Sequence, residues 1–167
     1  DSVCKEIEIY FKDNNPQCLK FNSLFLGGGT PSLIPSSGIE KILNTLSKKI
    51  IFSELEEITI EANPGEAPRR RLKEYRGLGV NRISFGFQSL DNKLLKFLDR
   101  LHTADDCISA YNDARSVGYQ NINTDMIFNI PKQSINTLEK NLKELIKLDP
   151  EHISCYSLTV EKGTKLY

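Results

Sequence analysis

The sequence predicts an α/β fold built on a parallel sheet, because strand and helix patterns alternate along its 167 residues. Five short segments rich in β-branched and aromatic residues lie next to turn-forming residues, which is typical of strands. This alternation favours right-handed crossovers and predicts either an open sheet or a barrel. Five strands cannot close an eight-stranded barrel, so a barrel here would be partial. The predicted strands are Phe21–Leu26, Ile58–Ala62, Arg82–Phe87, Asn121–Phe128 and His152–Leu158.

Apolar residues at helical spacing predict a helix beside each strand. Two of these segments carry N-terminal capping boxes, Ser37 with Glu40 and Thr103 with Asp106. The chain has no initiator Met and opens directly on an amphipathic helix, so we expect a single domain over residues 1–167 that is truncated at both ends, with its first strand missing. The predicted helices are Ser2–Lys12, a segment through Ile39 and Leu46, Arg69–Leu78, a segment from Thr103 to Val117 and a segment through Leu138 and Ile146.

Composition and charge exclude several classes of function. Lysine plus arginine number 22 and aspartate plus glutamate number 22, so no net field favours nucleic acid or an anionic membrane. The Arg69–Arg71 run has no interleaved aromatic residues and is interpreted as a solvated face. No apolar run has the length of a membrane span or a signal peptide, which predicts a cytoplasmic protein.

The four cysteines do not form a local metal motif. They are widely spaced, without a CxxC or CxxxCxxC arrangement, and are interpreted as small side chains in a reducing compartment. No metal ligand is therefore predicted within this chain. The cysteines are Cys4, Cys18, Cys107 and Cys155.

Polar residues and glycines follow each predicted strand, where ligands bind in parallel α/β folds. The run Gly27–Thr30 exposes backbone groups, but it matches no phosphate-binding motif, and a structural turn is the alternative. Glu61 and Asp125 lie in or beside apolar strands, as ligand-facing acceptors or as partners of an arginine. Gln88 is either a ligand contact or a helix cap, and Arg100 is either a ligand contact or a solvated helix-end cation.

Several strings in a shared order resemble the radical S-adenosylmethionine (SAM) core of the oxygen-independent coproporphyrinogen III oxidases and their haem-chaperone relatives, the HemW branch. Two of them, Arg100–His102 and Tyr156–Thr164, are closer to the chaperone branch. Asn129 departs from the pattern, since the family usually has glycine there. The resemblance covers essentially the whole chain and implies a partial (β/α) barrel of the radical SAM type. The strings are Leu24–Ser32, Glu61–Pro64, Gly79–Ser89, Arg100–His102, Asn123–Met126, Ile130–Gln133 and Tyr156–Thr164.

The resemblance also implies roles for individual residues. Gly28, Gly29 and Thr30 would contact the methionyl part of SAM, and Glu61 resembles the acidic residue associated with the first SAM molecule. Gln88, Arg100, Asp125 and Thr159 match positions that line the pocket of a second SAM in the oxidase, and His102 is a haem contact in the chaperone hypothesis. In that family a [4Fe–4S] cluster on three cysteines reduces SAM to a 5′-deoxyadenosyl radical, and the cysteines would lie upstream of this chain.

Three hypotheses follow from the resemblance. The first is the SAM-binding part of a haem chaperone, with SAM and a tetrapyrrole as partners. The second is part of an oxidase that decarboxylates coproporphyrinogen III in porphyrin biosynthesis, and the third is a non-catalytic α/β domain without a cluster. The missing first strand would leave an exposed sheet edge beside Phe21–Leu26, which could pair with another chain, so the chain is expected to be marginally stable or to self-associate.

Overall fold

The computed structural model describes residues 1–13 and 20–167 and contains one five-stranded parallel sheet in the order β1-β2-β3-β4-β5. Each strand is followed along the chain by at least one helix before the next strand, as the alternating pattern predicted. The strands are β1 (Ser23–Leu26), β2 (Glu57–Ala62), β3 (Arg82–Gln88), β4 (Asn121–Phe128) and β5 (His152–Ser157).

Six α-helices accompany the sheet in this part of the chain, one more than the sequence patterns predicted. The additional one is a six-residue helix that follows β3. The helices are α1 (Ser2–Asp13), α2 (Ser36–Leu46), α3 (Arg69–Gly77), α4 (Asn92–Phe97), α5 (Ala104–Ser116) and α6 (Ile135–Lys147). None of the described helices has the length and apolar character that a bilayer crossing requires.

The two faces of the sheet have opposite chemistry. On one face, apolar residues such as Ile60, Ile83 and Ile122 pack in one core cluster with helix residues such as Leu72 and Leu145. The other face carries residues of the opposite parity, which are mostly polar on the three central strands, Ile127 being an apolar exception. Its residues include Glu57, Thr59, Glu61, Arg82, Ser84, Asn123 and Asp125.

Local signals explain most of the helix starts, with one correction. The predicted capping box of α5 is present, since the Thr103 hydroxyl accepts from the Asp106 amide and the Asp106 carboxylate accepts from the Thr103 amide. The predicted box of Ser37 and Glu40 is wrong. α2 begins at Ser36 directly after Pro35 and has no side-chain cap, because the fixed backbone of Pro35 already leads into the first turn.

The structure also bears on the predictions for the arginine run and for Asn129. The Arg69–Arg71 run is not wholly solvated, because Arg71 Nη1 donates to the carbonyl oxygens of Ser32 at 2.7 Å and Glu66 at 3.0 Å. Asn129, where the family usually has glycine, has a φ of 61°. Asparagine tolerates this left-handed conformation better than most residues, so the turn that glycine would make is retained.

The described sheet has β1 and β5 at its edges, and the predicted self-association beside β1 stays a prediction. Cys18 falls outside the described residues.

Candidate functional site

A polar cavity of about 200 Å³ lies at the carboxyl ends of β1 to β4. It brings together residues that are up to 96 positions apart in the chain, from Gly29 to Asp125, because parallel strands deliver their ends to one edge of the sheet. Six of the eight residues predicted to bind SAM line it. The lining residues are Gly29, Thr30, Glu61, Ala62, Asn63, Ser84, Gly86, Gln88, Arg100 and Asp125.

The glycine run after β1 forms one wall of this cavity. Gly28 and Gly29 have φ values of 85° and 64°, which glycine adopts without the steric cost that a Cβ would add. The Gly28 amide donates to Glu61 Oε2 at 3.0 Å, so the carboxylate at the end of β2 holds the loop after β1. Gly28, although not a lining residue, is thereby tied to the cavity through Glu61.

Asp125 is held by a network of side chains on the polar face of the sheet. Asn123 Nδ2 donates to Asp125 Oδ1 and to Ser84 Oγ, both at 2.8 Å. Asn123 Oδ1 in turn pairs with His152 Nδ1 and accepts from Ser154 Oγ. In the described chain neither Glu61 nor Asp125 forms an ion pair, so the alternative of an arginine partner is wrong for both.

Gln88 and Arg100 enter the cavity from the segment around α4. Gln88 is only 9% exposed and does not cap that helix, because Asp91 accepts from the amides of Lys93 and Leu94. Arg100 lies three residues beyond the end of the helix and lines this cavity and a neighbouring one. The capping alternative for Gln88 is therefore wrong, and Arg100 is half-buried rather than freely solvated.

His102 lines the neighbouring cavity of about 410 Å³, together with residues of the loop after β2. Its side chain is 7% exposed, and Nε2 lies 3.2 Å from the Phe87 carbonyl oxygen. Burial lowers the pKa of His102 below its ordinary value, against the opposing effect of this hydrogen bond. The imidazole is therefore a neutral, hydrogen-bonded group, and its predicted contact with haem stays a prediction.

Thr159 is the predicted residue that stands apart. It follows β5 at the same edge of the sheet, but it is exposed and does not line the cavity. Conversely, the sequence analysis did not select Asn63, Ser84 or Gly86, which do line it. Ser84 is a polar residue between Ile83 and Phe85 in β3, and that is the signal by which it could have been found.

The chain's family follows from comparison with known proteins. The family described as the Radical SAM superfamily matches residues 6–145. This chain belongs to the radical SAM superfamily. The match covers α1 from residue 6 onward and the whole sheet except β5, and it includes every residue that lines the polar cavity.

Individual relatives refine the comparison within the radical SAM superfamily. The heme chaperone HemW of Haemophilus influenzae is 41% identical over 154 residues, which are 92% of this chain and 40% of the relative. The mitochondrial radical S-adenosyl methionine domain-containing protein 1 of Danio rerio is 39% identical over 163 residues, 98% of this chain and 36% of the relative. The chain thus spans about two fifths of the length of these relatives.

A solved structure supports the fold. The coproporphyrinogen III oxidase HemN of Escherichia coli, a radical SAM enzyme, matches 95% of this chain and 36% of its own with a TM-score of 0.81 and 23% identity. At that identity the likeness concerns the fold. It confirms the predicted partial barrel of the radical SAM type, with five parallel strands and flanking helices.

The cavity fits the polar part of SAM, whereas the described residues do not fit an iron–sulfur cluster. Glu61 and Asp125 offer acceptors for ammonium or hydroxyl groups, and Arg100 offers donors for a carboxylate. Among residues 1–13 and 20–167 no group of three His, Cys, Asp or Glu side chains could hold a metal ion. Burial also raises the pKa of the Cys107 thiol to about 12, which disfavours the thiolate that an iron ligand requires.

Proposed function

We propose that this chain is the SAM-binding part of a radical SAM haem chaperone, with residues 1–167 forming part of one radical SAM core domain. The observation that carries the proposal is the polar cavity in which Gly29, Thr30, Glu61, Gln88, Arg100 and Asp125 come together. The similarity to HemW of Haemophilus influenzae supports the chaperone assignment, and haem is then the tetrapyrrole partner.

In this proposal each residue of the cavity contacts a different polar group of SAM. The loop Gly28–Thr30 faces the methionyl end with backbone groups and the Thr30 hydroxyl. Glu61 has one oxygen occupied by the Gly28 amide, so its other oxygen is the acceptor for the ligand's ammonium group. Arg100 pairs with the carboxylate of the ligand, and Asp125 accepts from its ribose hydroxyls. Bound SAM supplies the 5′-deoxyadenosyl group that gives the superfamily its chemistry.

Of the eight residues predicted to bind SAM, all except Gly28 and Thr159 line one cavity. We therefore propose that one SAM molecule is contacted by Glu61 together with Gln88, Arg100 and Asp125, instead of two SAM molecules in separate pockets. Thr159 would contact the same SAM molecule only if part of that molecule extends past the end of β5. A cytoplasmic location remains part of the proposal, although the Danio rerio relative is named a mitochondrial protein.

Isothermal titration of the 167-residue chain with SAM tests the binding assignment. Glu61→Gln and Asp125→Asn each remove one charge-assisted hydrogen-bond acceptor, which is worth about 1.5–3 kcal/mol, so we expect SAM affinity to fall at least about tenfold. Glu8→Gln on α1 and Asp105→Asn on α5 make the same chemical changes at exposed sites and should leave affinity unchanged. A folded wild-type chain without measurable SAM binding would refute the assignment.

A second titration separates the chaperone from the oxidase hypothesis, which rests on the fold shared with HemN. Haem binding is followed by its Soret absorbance and coproporphyrin III binding by its fluorescence. Preference for haem supports the chaperone assignment. Binding of coproporphyrin III without haem binding would favour the oxidase instead, and binding of neither would favour the non-catalytic domain.

A further inference from the structure

The turn that ends β3 has an unusual backbone conformation. Gln88 has a φ of 64°, and the Ser89 amide donates to the Phe87 carbonyl at 2.7 Å, which closes a three-residue turn around Gln88. The pairing of β3 with β4 also shifts register between Phe85 and Gln88. Such a turn with positive φ at a non-glycine residue is strained, and it persists only where surrounding groups hold it. This turn places Gln88 at the cavity wall.

His102 holds the first side of the turn. The Phe87 carbonyl oxygen, which already accepts from the Ser89 amide, also lies 3.2 Å from His102 Nε2. A carbonyl oxygen can only accept, so Nε2 carries the proton and donates it. The buried His102 side chain therefore joins the loop that contains Arg100 to the turn that contains Gln88.

Asn141 on α6 holds the second side. Its Oδ1 accepts from Ser89 Oγ at 2.8 Å and from the Leu90 amide at 2.6 Å, and its Nδ2 donates to the Thr137 carbonyl at 3.0 Å. This side chain is 2% exposed, so water does not compete for these bonds. Its Oδ1 bonds therefore fix the segment after Gln88 to α6.

We infer that His102 and Asn141 are positioning residues that hold the strained turn and thereby keep Gln88 at the cavity, and that His102 acts through its hydrogen bond to Phe87. The inference deepens the proposed function and rests on it, because the cavity is taken as the SAM site. Neither residue needs to touch SAM. Both act on the same side chain from opposite sides of the turn.

A double-mutant cycle on SAM affinity tests this inference. We expect His102→Leu to weaken SAM binding about tenfold and His102→Gln, whose amide can donate at a similar reach, to restore affinity to within about twofold of wild type. Ser89→Ala, which removes one of the bonds to Asn141 with little loss of volume, should weaken binding about threefold. In the Gln88→Ala background, His102→Leu and Ser89→Ala should each add less than about a twofold effect, because their target is already absent.

Full additivity of His102→Leu with Gln88→Ala would overturn the inference. So would loss of haem binding in both His102→Leu and His102→Gln at unchanged SAM affinity, since that pattern marks a ligand and not a donor to Phe87. If His102→Leu does not fold, Ser89→Ala with Gln88→Ala still completes a cycle, and full additivity of that pair would overturn the inference.

Hydrogen exchange gives a readout that does not depend on SAM. We expect the Ser89 amide to exchange at least about tenfold faster in His102→Leu than in wild type, while His102→Gln retains protection. If the chain fails to bind SAM, the proposed function fails but this readout still decides the positioning role. Unchanged Ser89 protection in His102→Leu would overturn it.

Discussion

Gly86→Ala offers a sharp test of how closely the cavity is packed. Gly86 lies on β3 between Ser84 and Gln88 and lines the cavity. A Cβ at this position would lie 2.8 Å from Gln88 Nε2 and 2.9 Å from Asn63 Oδ1, where ordinary contacts begin at 3.4 Å. Both amide groups would have to move by about half an ångström to make room. Both are ends of flexible side chains that line the ligand cavity.

The effect should therefore appear in binding and not in folding. Because the displaced atoms are side-chain ends, we expect the free energy of unfolding to change by less than about 1 kcal/mol. Each ligand hydrogen bond that is misaligned is worth about 1 kcal/mol, so SAM affinity should fall about fivefold for one bond and about thirtyfold for two. The substitution thus distinguishes an effect on the ligand cavity, seen as a loss of affinity, from an effect on the core, seen as a loss of stability.

Calorimetric titration with SAM and urea unfolding of the same preparations measure the two quantities. Gly77→Ala, at the end of α3 with nothing within 4 Å of the added Cβ, is the matched control and should leave SAM affinity unchanged. Wild-type SAM affinity in folded Gly86→Ala would refute the proposed contact between Gln88 and the ligand. A loss of several kcal/mol of stability would show that the neighbours cannot move.

Three further predictions concern stability, pH and thiol chemistry. Leu72→Ala removes a fully buried side chain and should lower the free energy of unfolding by about 2–5 kcal/mol in urea titrations, whereas Ile135→Ala at an 83% exposed site should change it by less than about 0.5 kcal/mol. Burial lowers the pKa of His102, so the unfolded chain binds the proton more readily than the folded chain. The contribution of neutral His102 to the free energy of unfolding should be fully present above about pH 6.5 and be lost as the pH falls below that value. The His102→Gln variant should lack this pH-dependent part of the stability. An equal pH dependence in that variant would contradict this. Peptide mapping after thiol labelling at pH 8 should find exposed Cys155 modified and Cys107, whose pKa burial raises to about 12, protected until unfolding.

Short-range signals account for the elements that the sequence predicted well. β4 spans Asn121–Phe128 as predicted, because its alternating polar and apolar residues suit a sheet with one polar and one apolar face. The Thr103–Asp106 capping box is made within four residues and needs no distant partner. The Ser37–Glu40 box failed although its spacing was right. There Pro35 sets the helix start, and the side chain of Ser36 donates to Glu74 on α3 instead.

The sequence also predicted which residues come together at the candidate site. Glu61, Gln88 and Asp125 were selected because each lies at the end of a predicted strand, and parallel strands bring such ends to one edge. Their partners were not predictable in this way. Asn123, which orients Asp125, and Asn141, which fixes the segment after Gln88, look like ordinary polar residues in a strand and a helix.

Periodicity, caps and strand-end residues are local properties, and they alone specify the parallel α/β architecture, the alternation that gives the sheet two different faces, and the edge where polar groups collect. Packing between distant segments decides the rest: the order of the strands in the sheet, the strained turn at Gln88, and the burial of His102 against the Phe87 carbonyl. The physical reason is that a hydrogen bond between side chains far apart in the chain depends on how helices pack on the sheet, which no short stretch of residues encodes.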